Sequence, residues 1–228
     1  TGAIGTTGGA DSMDAVIRDG LLAPWVGVVL SYLLGSIPSA YLAGKARGID
    51  LRTVGSGNLG ATNVLRTLGW AWAAPVFAVD AFKGFVPAFL VPYFIETQQA
   101  DWWAIANGAA AIAGHAKPIF LLWRGGGKGV ATGAGVFLGL APLAVLITTA
   151  IFAVTVYASG YVSLGSLLAA AALPPAVALT QGVGSVFFWP SVVIAAFVWW
   201  THRANLGRLR RGEESSFRKK TAPAPEGR

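Results

Sequence analysis

The sequence predicts an all-α integral membrane protein of seven transmembrane helices, with polar loops on the cytoplasmic side forming the site. Three observations carry this. Of 228 residues, 54% are hydrophobic and only 12% are charged, and the mean hydropathy is +0.60; soluble domains carry roughly 25% charged residues. The stretch from Gly129 to His202 contains no Asp, Glu, Lys or Arg. Of the 17 basic residues, 15 fall into three clusters: Lys45, Arg47, Arg52 and Arg66; Lys117, Arg124 and Lys128; and a C-terminal group from Arg203 to Arg228.

The spans follow in order. Thr1 to Ser12 lacks an apolar period and reads as a disordered or upstream-translated extension, with Met13 as the natural start. Leu22 to Ala43 is uncharged and long enough to cross a hydrocarbon layer of about 30 Å. A second helix is expected over Trp70 to Ile95, interrupted by Asp80 and Lys83, and a third over Trp102 to Trp123, with His115 and Lys117 late in its course. Val130 to Ser159 is too long for one short span. Lys and Arg collect on cytoplasmic flanks, and the tail joins the other two clusters only if the later spans are even in number. A break at Ala141–Pro142 gives two, since proline disfavours a helical residue before it. The short halves must tilt or sit where the bilayer is thinned. Ser163 to Gln181 and Ser185 to Thr201 complete seven. Residues 13–212 then form one membrane domain, followed by a flexible basic cytoplasmic tail over 213–228. Trp70, Trp72, Trp102, Trp103, Trp199 and Trp200 lie near span ends, as in an aromatic belt.

This topology places the glycine-rich and basic loops on one face. With no cysteine in the chain, disulfides, thiolate metal sites and acyl-cysteine intermediates are excluded. No cofactor, metal or nucleic acid is expected. The run RGGGKG at 124–129 offers bare backbone around Lys128, and Gly126 and Gly127 can turn amides toward an anion. It opens a helix, whose first N–H groups are also free. It is not a Walker loop, because Gly129 stands where Ser or Thr should follow the lysine. The competing reading is a flexible interfacial turn with Lys128 on lipid phosphate. GSGNLGATNVLR at 55–66 is similar: Ser56, Gly57, Asn58 and Asn63 can meet oxygens and Arg66 can clamp a phosphate, or the segment is a turn leading into an amphipathic helix. His202, Arg203 and Asn205 leave the last span as site residues or as interfacial anchors. Asp80 and Lys83 share a helix face, as a functional charge pair or as a self-neutralised one.

The motifs GSIPSAYL (35–42), GSGNLGATNVLR, VDAFKG (79–84), GHAKPIF (114–120), GGKGVAT (126–132), YVSLGSL (161–167) and HRANLGRL (202–209) occur in an ordered series. That series resembles the bacterial acyl-phosphate:glycerol-3-phosphate acyltransferases of the PlsY type over roughly residues 20–214. One glycine more than the family run stands between Arg124 and Lys128. The resemblance implies a seven-helix inner-membrane enzyme transferring a fatty acyl group from acyl phosphate to the sn-1 hydroxyl of glycerol 3-phosphate. The products are lysophosphatidic acid and phosphate, in the first acyl transfer of phospholipid synthesis. Ser56, Arg66, Lys128, Ser163, His202 and Asn205 are implied to line the site. Membrane lipids and an upstream acyl-phosphate-forming enzyme are the further expected partners. Neither histidine has an Asp five residues later, so the H-x-x-x-x-D acyltransferase signature is absent. An activated acyl phosphate needs no covalent intermediate, and His202 or a substrate phosphate oxygen can take the proton. The alternative is a membrane transporter of a phosphorylated anion, for which discontinuous helices and an intramembrane charge pair would speak.

Overall fold

The structure, a computed structural model, describes residues 23–94 and 99–217; the expectations for residues 1–12 and for the tail beyond 217 lie outside them. The described residues are helical, without strands. Helices α1 (Pro24–Gly35) and α2 (Ser39–Ala46) replace the single first helix expected. Pro38 lacks an N–H and disfavours a helical Ile37, so the chain breaks between them. Ser36 Oγ folds back onto Tyr32 O at 2.7 Å, and the Ile37 carbonyl accepts a hydrogen bond from Lys83 Nζ at 2.9 Å. A backbone group freed inside a bilayer must find such a partner.

After a long loop come the amphipathic α3 (Ala61–Leu68) and then α4 (Trp70–Phe89). Helix α4 stops short of the expected Ile95, giving way to a 3-10 turn over Val91–Phe94. Helix α5 (Ala100–Ala116) ends before the expected Trp123 because Pro118 excludes a helical Lys117. Then α6 (Val130–Leu140), α7 (Pro142–Ser159), α8 (Val162–Gln181), α9 (Phe188–Thr201) and α10 (Arg203–Arg210) follow. The α6–α7 break falls at Ala141–Pro142, as the charge pattern requires. Four stretches are long and apolar enough to cross a membrane: Pro24–Ala46, Trp70–Phe94, Pro142–Ser159 and Val162–Gln181; α6 and α9 are shorter apolar helices.

Two apolar clusters hold the helices. One joins α5 to α9 through Ile112, Phe137, Val145, Leu173, Val177 and Ile194. The other seats the long loop and α3 on α2 and α4 through Leu51, Leu59, Val64 and Val76. Large apolar side chains such as Phe82, Leu146, Leu179 and Val193 face outward, as a lipid-facing surface requires.

The most extensive contact is α4 on α6. It depends on reciprocal glycines: a Cβ on Gly84 would strike the Thr132 carbonyl, and one on Gly135 the Ala81 carbonyl. Small residues let helix backbones meet where no hydrophobic effect drives association. Gly135→Leu should therefore lower the unfolding midpoint in detergent by the equivalent of about 1–3 kcal/mol or more. Gly184→Ala, in open space, should leave the midpoint unchanged.

Candidate active site

Four stretches converge on one cavity of about 130 Å³: the loop into α3, the start of α6, the start of α8 and the α9–α10 corner with the chain that follows. Ser56, Asn58, Asn63, Arg66, Lys128, Ser163, His202 and Asn205 all line it. The structure thus brings together residues spread over most of the sequence.

Within the first loop, Asn63 is the organiser. Its Oδ1 accepts from the Ser56 N–H at 3.0 Å, and its Nδ2 donates to Leu51 O and Val54 O at 3.0 and 3.2 Å. Its amide is spent on the loop, so it shapes the wall and offers no donor to a ligand. Gly55, at φ +60°, leaves the space that Asn63 Oδ1 fills. Gly57 is absent from the cavity wall; its N–H closes a turn onto Val54 O at 3.1 Å. Ser56, Asn58 and Arg66 remain turned to the opening, with Arg66 Nη2 donating to Ser215 O at 3.1 Å.

The glycine loop divides. Lys128 reaches the cavity and donates to Asn205 Oδ1, while its carbonyl accepts from Thr201 Oγ1 at 3.2 Å. Gly126 and Gly127 are not among the residues of the cavity wall, and the Gly127 amide is taken up by the end of α5. The Gly127 N–H donates to His115 O at 3.1 Å, and Gly126 O accepts from Leu59 N at 3.2 Å. These glycines are small so that the loop can lie against the end of α5.

Glu214 stands among the cations. It is buried, although it falls in the stretch expected to be a flexible tail. Oε1 accepts from Ser163 Oγ at 2.9 Å and from Asn205 Nδ2 at 2.8 Å, and Oε2 accepts from Arg208 Nε at 2.7 Å. Burial opposes its charge, but the bonds from Asn205, Arg208 and Ser163 hold its carboxyl below the usual range. Sequence reasoning passed over Glu214 and counted Arg208 only as tail charge. A signal existed: Arg208 lies three residues after Asn205 on one helix face.

Electrostatically the cavity is set for an anion. Burial pulls the Lys128 ammonium down to about 8, the nearby Glu214 charge opposes this, and Arg208 and Arg66 add to it. Burial, then Lys128, pushes His202 to about 4, so its imidazole is neutral at pH 7. His202 Nδ1 lies 2.8 Å from Val198 O. A carbonyl only accepts, so Nδ1 carries the proton and Nε2 keeps the lone pair. Arg203 stays outside the cavity: Nη1 donates to Trp200 O at 3.0 Å and the guanidinium lies 4.7 Å from the centre of the Trp200 ring. It fits the anchor reading. Asp80 and His115 form part of the inner wall. Among the described residues, no group of three or more His, Asp or Glu side chains is placed to hold a metal.

Beside the polar cavity lies an apolar slot between α6, α7, α8 and α9. Gly129, Val130 and Ser166 belong to both, and Phe137, Val145 and Leu173 extend the slot.

The family model described as glycerol-3-phosphate acyltransferase matches residues 25–212. A glycerol-3-phosphate acyltransferase of Geotalea daltonii is 46% identical, over 84% of this chain and 96% of its own. One of Geobacter metallireducens is 50% identical, over 82% and 94%. Among solved structures, the glycerol 3-phosphate form of PlsY, an integral membrane glycerol 3-phosphate acyltransferase, aligns with a TM-score of 0.77 at 34% identity. It covers 85% of this chain and 95% of that one. The lysophosphatidic acid form aligns at 0.73 and 33%, with the same coverage.

Glu214→Gln keeps the shape and removes the charge. It should lower the unfolding midpoint at pH 7 by the equivalent of about 1–3 kcal/mol. The folded carboxyl lies below its ordinary 4.5, so this contribution is present at neutral pH and is lost as pH falls through the lowered value. The midpoints of wild type and variant should converge in acid. A gap that stays constant down to about pH 3 would show that the carboxylate charge is not its source.

Proposed function

The chain belongs to the glycerol-3-phosphate acyltransferase family, and on that premise we propose that it transfers a fatty acyl group from acyl phosphate to the sn-1 hydroxyl of glycerol 3-phosphate. Lysophosphatidic acid and phosphate are the products. The observation that carries the reading is the junction of a cation-rich polar cavity with an apolar slot, at Gly129, Val130 and Ser166. A substrate with an anionic head and a fatty chain fits such a junction, and a small phosphorylated polyol fits the polar half.

In this mechanism Arg66 and Lys128 neutralise phosphate, and Ser56, Asn58, Ser163 and Asn205 orient the two substrates. The glycerol oxygen attacks the acyl carbonyl, the carbonyl–phosphate bond breaks, and phosphate leaves with the electron pair. Lys128 stabilises the charge developing on the carbonyl and leaving phosphate. Two groups compete for the hydroxyl proton. A phosphate oxygen, with its second pKa of about 6, is a stronger base than His202 at about 4. In this reading the single hydroxyl proton goes to substrate phosphate. A bound acyl phosphate is already activated, so no acyl-enzyme is needed.

The same reading takes α1 with α2 as one span and α4 to α9 as six more, seven in all, with the cavity and tail on the cytoplasmic face of the bacterial inner membrane. The basic clusters support it, as does the meeting of all the polar loops in one cavity. Membrane lipids surround the chain, and the enzyme that forms acyl phosphate is its expected neighbour. The transporter alternative drew on Asp80 and Lys83, but those side chains are occupied with each other, Ser39 and the Ile37 carbonyl.

Purified protein with palmitoyl phosphate and glycerol 3-phosphate should form lysophosphatidate. Comparable turnover with acyl-CoA at matched concentration would overturn the donor assignment.

Lys128→Ala should lose about tenfold to several-hundredfold in kcat/KM, since losing a charge-assisted contact costs roughly 1.5–3 kcal/mol, and more in a transition state. Lys128→Arg should recover part of this. As the free-enzyme ammonium titrates near 8, wild-type kcat/KM should fall as pH rises through that value. In Lys128→Arg that limb should move to higher pH. An unshifted limb would assign it to another group.

A further inference from the structure

The ordered motifs of this chain include VDAFKG and GHAKPIF, yet the chemistry above uses neither. Their polar members meet in the interior. Asp80 Oδ1 accepts from Ser39 Oγ at 2.6 Å, lies 2.8 Å from Lys83 Nζ, and faces His115 Nδ1 at 3.6 Å. Asp80 and Lys83 are almost wholly buried, and His115 is 6% exposed. Charges in a membrane segment are expensive, and answering the Ile37 carbonyl accounts for Lys83 and Asp80 but not for His115.

We propose that Asp80 and His115 are positioning residues: they seat the glycine loop and thereby aim Lys128. The inference rests on the role given to Lys128 above. His115 meets the loop through two groups at once. Its carbonyl accepts from Gly127 N at 3.1 Å. Its ring fills the space where a side chain on Gly127 would stand, so that a Cβ there would overlap Nε2 and Cε1. The neighbouring Ala116 carbonyl bounds Gly126 in the same way. Lys128 is the next residue along. On its far side the ring faces Asp80, with 3.6 Å between Nδ1 and Oδ1, and Asp80 is held from α2 by Ser39 and from one turn further along α4 by Lys83. A displacement of about 1 Å in a catalytic group can cost a hundredfold in rate, so a rigid seat under a flexible glycine run has kinetic value.

The contact at Gly127 gives a test that separates seat from general packing. His115→Ala, Gly127→Ala and Asp80→Asn should each lower kcat about tenfold to a hundredfold, with KM for glycerol 3-phosphate changed less than about threefold. The double variant Gly127→Ala/His115→Ala should be no worse than the poorer single one, because the new methyl occupies the space the ring has left. Hydrogen exchange of the Gly125–Val130 peptide, read without substrate, should quicken in Asp80→Asn and His115→Ala. Multiplying losses in the double variant, or unchanged exchange and kcat in Asp80→Asn, would overturn the proposal. If Asp80→Asn does not reach the membrane folded, Gly127→Ala and the double variant decide. If wild type transfers no acyl group, the functional reading fails, while exchange and the coupling of unfolding midpoints still report the seat.

Discussion

A carbonyl taken out of its helix is costly where there is no water, and much of this structure can be traced from one such group. Pro38 breaks the first span and leaves the Ile37 carbonyl with only a tight turn bond from the Ser39 N–H, at 3.0 Å. Lys83 answers it from α4, which puts an ammonium inside the helix bundle. That ammonium needs a carboxylate, which Asp80 supplies one turn earlier. Asp80 in turn faces His115, against which the glycine loop lies. A local backbone defect is thus answered by a chain of polar contacts running through α2, α4 and α5 to the cavity wall. Each link limits where the next can stand.

At the cavity the constraint is reversed, because charge of one sign has been gathered on purpose. Arg208 and Arg66 stand close enough to Lys128 to raise the cost of its charge. Glu214 offsets that cost without filling the cavity, since its oxygens are taken by Ser163, Asn205 and Arg208. The other carboxylate of the wall, Asp80, is matched by Lys83; without Glu214 the cations would be left repelling one another. The neutral His202 fits the same balance, adding a lone pair and no further charge.

Punctuation by proline and charge was legible in the chain. The α6–α7 break at Pro142 and the ends of α7 at Ser159 and α8 at Gln181 can be read from it, because the signals are local. The break at Pro38 was not read, since SIPS sits in an apolar run and its compensating lysine is 46 residues away. The same distinction governs the site. Lys128 and Asn205 stand out as polar groups leaving apolar spans. The bare backbone at Gly126 and Gly127 was visible too, but composition does not say whether a ligand or a neighbouring helix uses it. Asn63 looked like a free donor until its three loop partners were known. Glu214 follows the last helix in a stretch with no periodicity to mark it, and only the folded chain shows where it goes.

That late position of Glu214 has a consequence for how the protein is made. Arg66 and Lys128 are synthesised well before Glu214, so these two cations emerge ahead of their counter-charge, whereas Asn205 and Arg208 precede it by only a few residues. For that interval lipid phosphates or water must screen them, and the corner between α9 and α10 gains its last hydrogen bonds only when the following few residues fold back. Phe217 then fastens the segment through its N–H to Gly160 O at 3.1 Å. Quality control that samples the nascent chain before this step would meet an inserted but unfinished enzyme. A cut just after Gly212 would hold the protein permanently in that state.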